Sequence, residues 1–115
     1  MKGSFGRSPT DLVARFDAVL ARHPELVQRR TFGNPAAYVT GNMATGLYAE
    51  GWFVRLGEAE AQELLALPGA APFSPMPGRT MRGYVMLPSD VIADDAALEP
   101  WLARAITHAA GLPPK

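Results

Sequence analysis

The chain has no cysteine and only two histidines among its 115 residues. Without cysteine there can be no disulfide, no thiolate nucleophile and no cysteine-ligated zinc. Neither charge is in excess, since 11 basic residues balance 11 acidic ones. A net charge of zero gives no general attraction to nucleic acid or anionic lipid, although a local basic patch is compatible with it. No apolar run approaches the roughly 20 residues that a membrane span needs. The opening "MKGSFGRSPTD" has no apolar stretch after its lysine, so no secretory signal is expected. These absences suit a reducing cytoplasm and no membrane partner. Internal repeats and low-complexity segments are also missing.

Familiar catalytic signatures are absent too. There is no G-x-S-x-G, and Ser4, Ser8, Ser74 and Ser89 stand in no recognisable nucleophile context. Gly41 and Gly46 enclose "NMAT" without the Lys-Ser/Thr of a phosphate-cradling loop. His23 and His108 each fall at a helix end, where an imidazole favours the helix dipole. Asp94 and Asp95 read as helix-capping residues rather than metal ligands. The sequence therefore assigns no catalytic residue, no metal ligand, no cofactor-binding residue and no cofactor, and the chain is expected not to be an enzyme.

What is present is a core. Hydrophobic residues make up 48% and charged residues 19%, the balance of a folded globular chain. The length suits one domain over 1–115, with 1–7 expected to be flexible. In "SPTDLVARFDAVLARHP", Ser8 is placed to cap a helix, with Pro9 at its first position. Leu12, Val13, Phe16, Val19 and Leu20 fall on one stripe, and Pro24 ends the helix, predicted over 9–22.

Strands are predicted near 26–32, 36–40, 43–49 and 52–56. Gly41-Asn42 and Glu50-Gly51 serve as two-residue hairpin loops, the second with a bulge. Those loops pair Thr40 with Met43 and Ala49 with Trp52. One face then carries Tyr38, Met43, Leu47, Trp52, Val54 and Leu56, the expected core face. The other carries Ala37, Val39, Ala44, Gly46, Tyr48, Phe53 and Arg55. It lacks the Lys, Glu and Thr of a solvated face, so something is expected to cover it. A short helix follows over 58–67, then a strand over 82–87. A last helix, capped by Asp94 or Asp95, carries a stripe of Leu98, Trp101, Leu102, Ala105, Ile106 and Ala109. The order reads as α+β: an antiparallel meander plus one later strand, with helices packed on one face.

The stretch "PGAAPFSPMPGRTMRGY" from Pro68 to Tyr84 is too apolar for a linker and too rich in Pro and Gly for a helix or central strand. It reads as an ordered flap over the second face of the sheet. Its prolines lower the entropy cost of ordering it, and Phe73, Met76 and Met81 supply apolar contacts. A purely structural flap and a flap that forms a groove for a partner, rimmed by Arg79 and Arg82, are both open. Arg29-Arg30 before Phe32, and Arg79 and Arg82 around Met81 near Tyr84, combine guanidiniums with aromatics as single-stranded nucleic-acid sites do.

Several motifs in order carry a resemblance. They are Arg30–Gly33 (an Arg-x-Met-Phe-Gly element), Gly41–Met43 (Asn-Gly-Asn-Met), Pro68–Phe73 (Pro-Gly-Ala-x-Pro-Phe), Met76–Met81 (Met-x-Gly-Arg-x-Met) and Leu112–Lys115 (Leu-Pro-Pro-Lys). Together they resemble the N-terminal domain of the TfoX/Sxy family over about residues 8 to 115. Thr31 replaces the family's frequent Met, and Thr40 the Asn before the glycine. The resemblance implies a bacterial α+β domain of secretion-chaperone-like shape in a regulatory setting. Family members that regulate competence genes carry a second, C-terminal helical domain, and the expectation here is a stand-alone N-terminal domain without it. The resemblance transfers no catalytic residue or cofactor.

The function expected is a non-enzymatic binding or regulatory module, transcription- or competence-related, acting through protein contacts. Its partner would be another protein or a second copy of the chain. Candidate contact residues are Arg30, Phe32, Arg55, Phe73, Met76, Arg79, Met81, Arg82 and Tyr84. Alternatives are a nucleic-acid accessory protein, and a small-molecule binder or unrecognised enzyme.

Overall fold

The computed structural model describes residues 7–31, 33–74, 78 and 80–115. The expectation for 1–7 therefore lies, Arg7 excepted, outside the described residues. The elements in chain order are α1 (Thr10–Leu20), β1 (Val27–Thr31), β2 (Asn34–Val39), β3 (Asn42–Tyr48), β4 (Gly51–Arg55), α2 (Glu58–Leu65), β5 (Ala71–Pro72), β6 (Tyr84–Met86), α3 (Ser89–Ile92) and α4 (Asp95–Ala110). The strands form one antiparallel sheet in the order β1-β2-β3-β4-β6-β5. The fold is α+β with the helices on one face. The short β5 and α3 were not foreseen. Pro72 confines β5 to two residues at the sheet edge, where a missing N–H is tolerated.

The helical face holds the core. Phe16, Val19 and Leu20 from α1, Ala61 and Leu64 from α2, Val91 from α3, and Leu98, Leu102, Ala105, Ile106 and Ala109 from α4 bury against Ala37, Val39, Ala44, Leu47, Trp52, Val54, Leu56, Val85 and Leu87. The Phe16 and Trp52 rings meet at 4.9 Å. Trp52 donates its indole N–H to Thr45 Oγ1 at 2.8 Å, and Thr45 donates in turn to the Phe53 carbonyl at 2.7 Å. Thr45 is fully buried, and this chain of bonds satisfies both polar groups inside the core. Trp101, expected in the core, is only half-buried and lies under the Arg104 guanidinium.

Both hairpin loops sit one residue earlier than expected. Val39 pairs with Asn42, so Thr40-Gly41 form the first loop, and Tyr48 pairs with Gly51, so Ala49-Glu50 form the second. Thr40 and Gly41 both have positive φ, 49° and 85°. That is the signature of a type I′ turn, whose twist matches the strands. Lys115 N donates to Thr40 O at 2.8 Å, and Asn42 Nδ2 donates to Pro113 O at 2.9 Å. The terminal Leu-Pro-Pro-Lys segment thus clamps the first turn. A Cβ on Gly41 would lie 2.5 Å from Lys115 O, so glycine is required there by space as well as by φ.

A bulge changes the face assignment. Ala37 pairs with Thr45 but Tyr38 pairs with Met43, leaving Ala44 as an extra residue in β3. An inserted residue breaks the two-residue alternation. Tyr38 and Met43, expected in the core, therefore fall outside the core cluster, while Ala37, Val39 and Ala44, expected on the second face, belong to it. The β3–β4 assignment stands: Leu47, Trp52, Val54 and Leu56 face the helices, and Gly46, Tyr48, Phe53 and Arg55 face away. Moving the second loop back by one residue shifts each cross-strand partner by two, from Ala49 to Leu47 opposite Trp52, which preserves parity.

Helix ends differ in detail. Pro9, not Ser8, is the N-cap residue of α1, and it has no side-chain cap. Ser8 is instead buried, with its N–H donating to Asn34 Oδ1 at 2.9 Å. Asp94 caps α4 through Oδ1, which accepts from Ala96 N. His23 meets Glu99 Oε1 at 2.8 Å instead of serving only the end of α1. That contact joins a network of Arg15, Arg22, Asp95 and Glu99 that ties α1 to α4.

Candidate functional site

The second face of the sheet carries no helix among the described residues, and Phe73 and Tyr84 from the Pro68–Tyr84 stretch lie on it. Phe73 is 1% exposed. Its ring stacks on Phe53 at 4.4 Å, with the planes 12° apart, and meets Tyr48 edge-on at 5.4 Å. Tyr84 completes the group, 5.9 Å from Phe53. The backbone holds this geometry: Phe73 N donates to Tyr84 O, Met81 N to Phe73 O, and Tyr84 N to Met81 O. The floor under the rings is Gly46, where a Cβ would approach Phe53 Cζ to 2.6 Å and Ala36 Cβ to 3.1 Å. Of the expected floor residues only Gly46 lies there. Ala37 and Ala44 belong to the opposite face, for the reason given by the bulge.

Where the flap returns into β6 it forms one wall of a cleft. α2 forms the other, and the last turn of α4 closes one end. The cleft encloses about 430 Å³. Leu56, Ala61, Leu65, Met81 and Val85 give it apolar walls, while Glu58, Gln62, Thr80, Arg82, Tyr84 and His108 bring polar groups to it. A half-open pocket of this size, with apolar walls and several polar groups, has the makeup of a specific recognition site. Burial raises the Tyr84 phenol above its ordinary 10.0, and the Arg55 guanidinium, 5.3 Å from the ring centre, offsets part of that rise. The phenol is thus a neutral hydrogen-bonding group at physiological pH.

The sequence candidates are brought together only in part. Phe73, Met81, Arg82 and Tyr84 gather around the cleft and the ring cluster, with Arg55 stacked on Tyr84. Arg30 does not join them. It lies on β1, three strand spacings from β4, roughly 14 Å across the sheet. Phe32, Met76 and Arg79 lie outside the described residues. Gln62 and His108 were missed as site residues. They come from two helices far apart in sequence, and no local pattern links them to Tyr84. Among the described residues no group of three His, Cys, Asp or Glu is placed to hold a metal, and no helix is long and apolar enough to cross a membrane.

The motifs carried by these elements run in a fixed order along the chain, and the model of the TfoX N-terminal domain family matches residues 18–109. The chain belongs to the TfoX N-terminal domain family. No curated protein and no solved structure matches it. The match spans the meander, α2, the flap, β6 and nearly all of α4, so the cleft is built entirely from residues inside the TfoX N-terminal domain.

Proposed function

We propose that this TfoX N-terminal domain is a non-enzymatic binding module that works by protein contact. It seats an apolar anchor from a partner segment in the cleft between α2 and β6. The observation that carries this reading is the cleft itself: a volume of about 430 Å³ in which Leu56, Ala61, Leu65, Met81 and Val85 meet Glu58, Gln62, Arg82, Tyr84 and His108. Its described polar groups, Glu58, Gln62, Thr80, Arg82, Tyr84 and His108, surround apolar side chains, a makeup that supports a binding role. Regulation of transcription or competence would then run through the partner bound there. The nucleic-acid reading is weaker, because Arg30 lies apart from Arg55 and Arg82 and no described basic stripe unites them.

The test uses the full chain as bait in a lysate divided in two, one half treated with nuclease, beside the cleft variants Gln62→Arg and Arg82→Glu. Both positions are exposed, so the fold should persist, and circular dichroism checks that it does. The expected result is a protein recovered equally from both halves by the wild type and lost with both variants. Recovery that disappears with nuclease, or that ignores both variants, would overturn the proposal.

A further inference from the structure

A second cavity lies at the corner where the N-terminus of α1 meets β1 and β2. It encloses about 440 Å³, and Arg7, Ser8, Thr10, Arg30 and Asn34 contribute its polar wall. It shares no lining residue with the α2–β6 cleft. No carboxylate is among its described lining residues. Asp11, in the first turn of α1, lies outside the wall and accepts from Leu12 N at 3.0 Å.

Two independent observations give this corner a preference for an anion. The first is the helix end. The Pro9 N-cap of α1 has no side-chain cap, and the first intrahelical bond runs from Val13 N to Pro9 O. Asp11 Oδ1 takes the Leu12 amide, which leaves the Thr10 end of the helix, with the positive end of its dipole, at the cavity wall. The second is Ser8. It is 8% exposed, and its Oγ is the one buried side-chain polar atom among the described residues with no hydrogen-bond partner. A buried hydroxyl left unpaired is costly, and this one has a hydrogen bond to make that the described residues do not supply. Its backbone N–H is already held by Asn34 Oδ1, which fixes the residue in the cavity wall.

Arg7 and Arg30 flank the same cavity. Arg30 donates Nη1 to Gly33 O at 3.1 Å, which anchors the guanidinium and leaves donors of its fork for another group. We propose that this corner binds a phosphate monoester dianion, with the Ser8 hydroxyl donating one bond and Arg7 and Arg30 pairing its charge. Two guanidiniums and a helix N-terminus match a dianion better than the single charge of a phosphodiester. The cavity, at about 440 Å³, has room for an organic substituent beyond the phosphate. This site is separate from the protein-contact reading of the cleft, and either stands without the other.

The test is a titration of the isotopically labelled full chain, followed by amide NMR at constant ionic strength. The ligands are inorganic phosphate, phenyl phosphate and a dinucleoside monophosphate as the diester. The expected result is saturable shifts at Ser8, Thr10 and Arg30 with both phosphate and phenyl phosphate, tightest for phenyl phosphate. Arg30→Gln should weaken binding about tenfold and Ser8→Ala several-fold. Binding of phenyl phosphate should fall below about pH 6, where the dianion takes up a proton. Ser8→Ala should leave the thermal midpoint unchanged or higher, because it removes an unpaired buried hydroxyl. The proposal is overturned by the absence of saturable shifts up to about 20 mM ligand, a range that covers weak millimolar affinity. It is equally overturned if Ser8→Ala and Arg30→Gln bind like the wild type, or if the diester competes as well as the monoester, which would point to a nucleic-acid backbone.

Discussion

Phe73 stacks on Phe53 with ring centroids 4.4 Å apart, and this pair joins the flap to the sheet. Phe53 also roofs Gly46, so three residues from three segments form one column on the sheet face opposite the helices. Removing the upper ring should therefore loosen the flap. Phe73→Ala is expected to cost about 3–5 kcal/mol in urea unfolding. Native-state hydrogen exchange at the Met81 amide, which donates to Phe73 O, should accelerate more than exchange at Trp52 in the core.

The base of that column has no spare volume. Gly46→Ala places a methyl 2.6 Å from Phe53 Cζ, and Phe53 cannot withdraw because Phe73 lies on it. A loss of about 1–3 kcal/mol is expected in denaturant unfolding. A neutral result would show that the ring stack is not rigid.

Thr45 bridges two buried polar groups, accepting from Trp52 Nε1 and donating to Phe53 O. Thr45→Val keeps the shape and removes both bonds. It should destabilise by about 2–3 kcal/mol, since it leaves a buried indole N–H without an acceptor. Loss of Trp52 indole N–H protection in hydrogen exchange would accompany it.

Thr40 holds φ at 49° in a type I′ turn, a costly conformation for a β-branched residue. Asn tolerates this region better, since its short polar side chain bonds locally. Thr40→Asn should raise stability by about 1 kcal/mol, read as a higher urea midpoint with an unchanged slope.

Acid sensitivity should track Asp95. Hydrogen bonds from Arg15, then Arg22, hold its carboxyl below its ordinary 3.8. A depressed folded value contributes stability above the unfolded value and loses it as pH falls through the folded one. Asp95→Asn should thus flatten the fall in stability below about pH 4, with a smaller effect near neutrality, where exposed pairs are weak. Urea midpoints of both proteins across that range measure it.

Much of this architecture was legible in the chain. Helical spacing of Phe16, Val19 and Leu20, and of Leu98, Leu102, Ala105 and Ile106, located the two long helices and their buried faces. Alternation in β3 and β4 identified Leu47, Trp52, Val54 and Leu56 as core and left Phe53 for the other side. The small and aromatic residues on that other side signalled a cover, and Phe73 is part of it. These features are encoded locally, because periodicity and turn chemistry act within a few residues of one another.

The remainder depended on partners distant in the chain. The extra residue at Ala44 exists only as a mismatch between β2 and β3, and it moved Tyr38 and Met43 out of the core. The first turn settled on Thr40-Gly41 under the clamp of Pro113 and Lys115, against the usual preference of threonine. Met81, Arg82 and Tyr84 were recognisable as candidates from their own stretch, but the cleft also needs Gln62 and His108. Ser8, a plausible helix cap by position, became a buried hydroxyl because Asn34 captured its amide. Sequence pattern specifies which faces must be buried. Which side chains meet across 26 or more residues is set by packing all those faces at once, and no local rule contains that information.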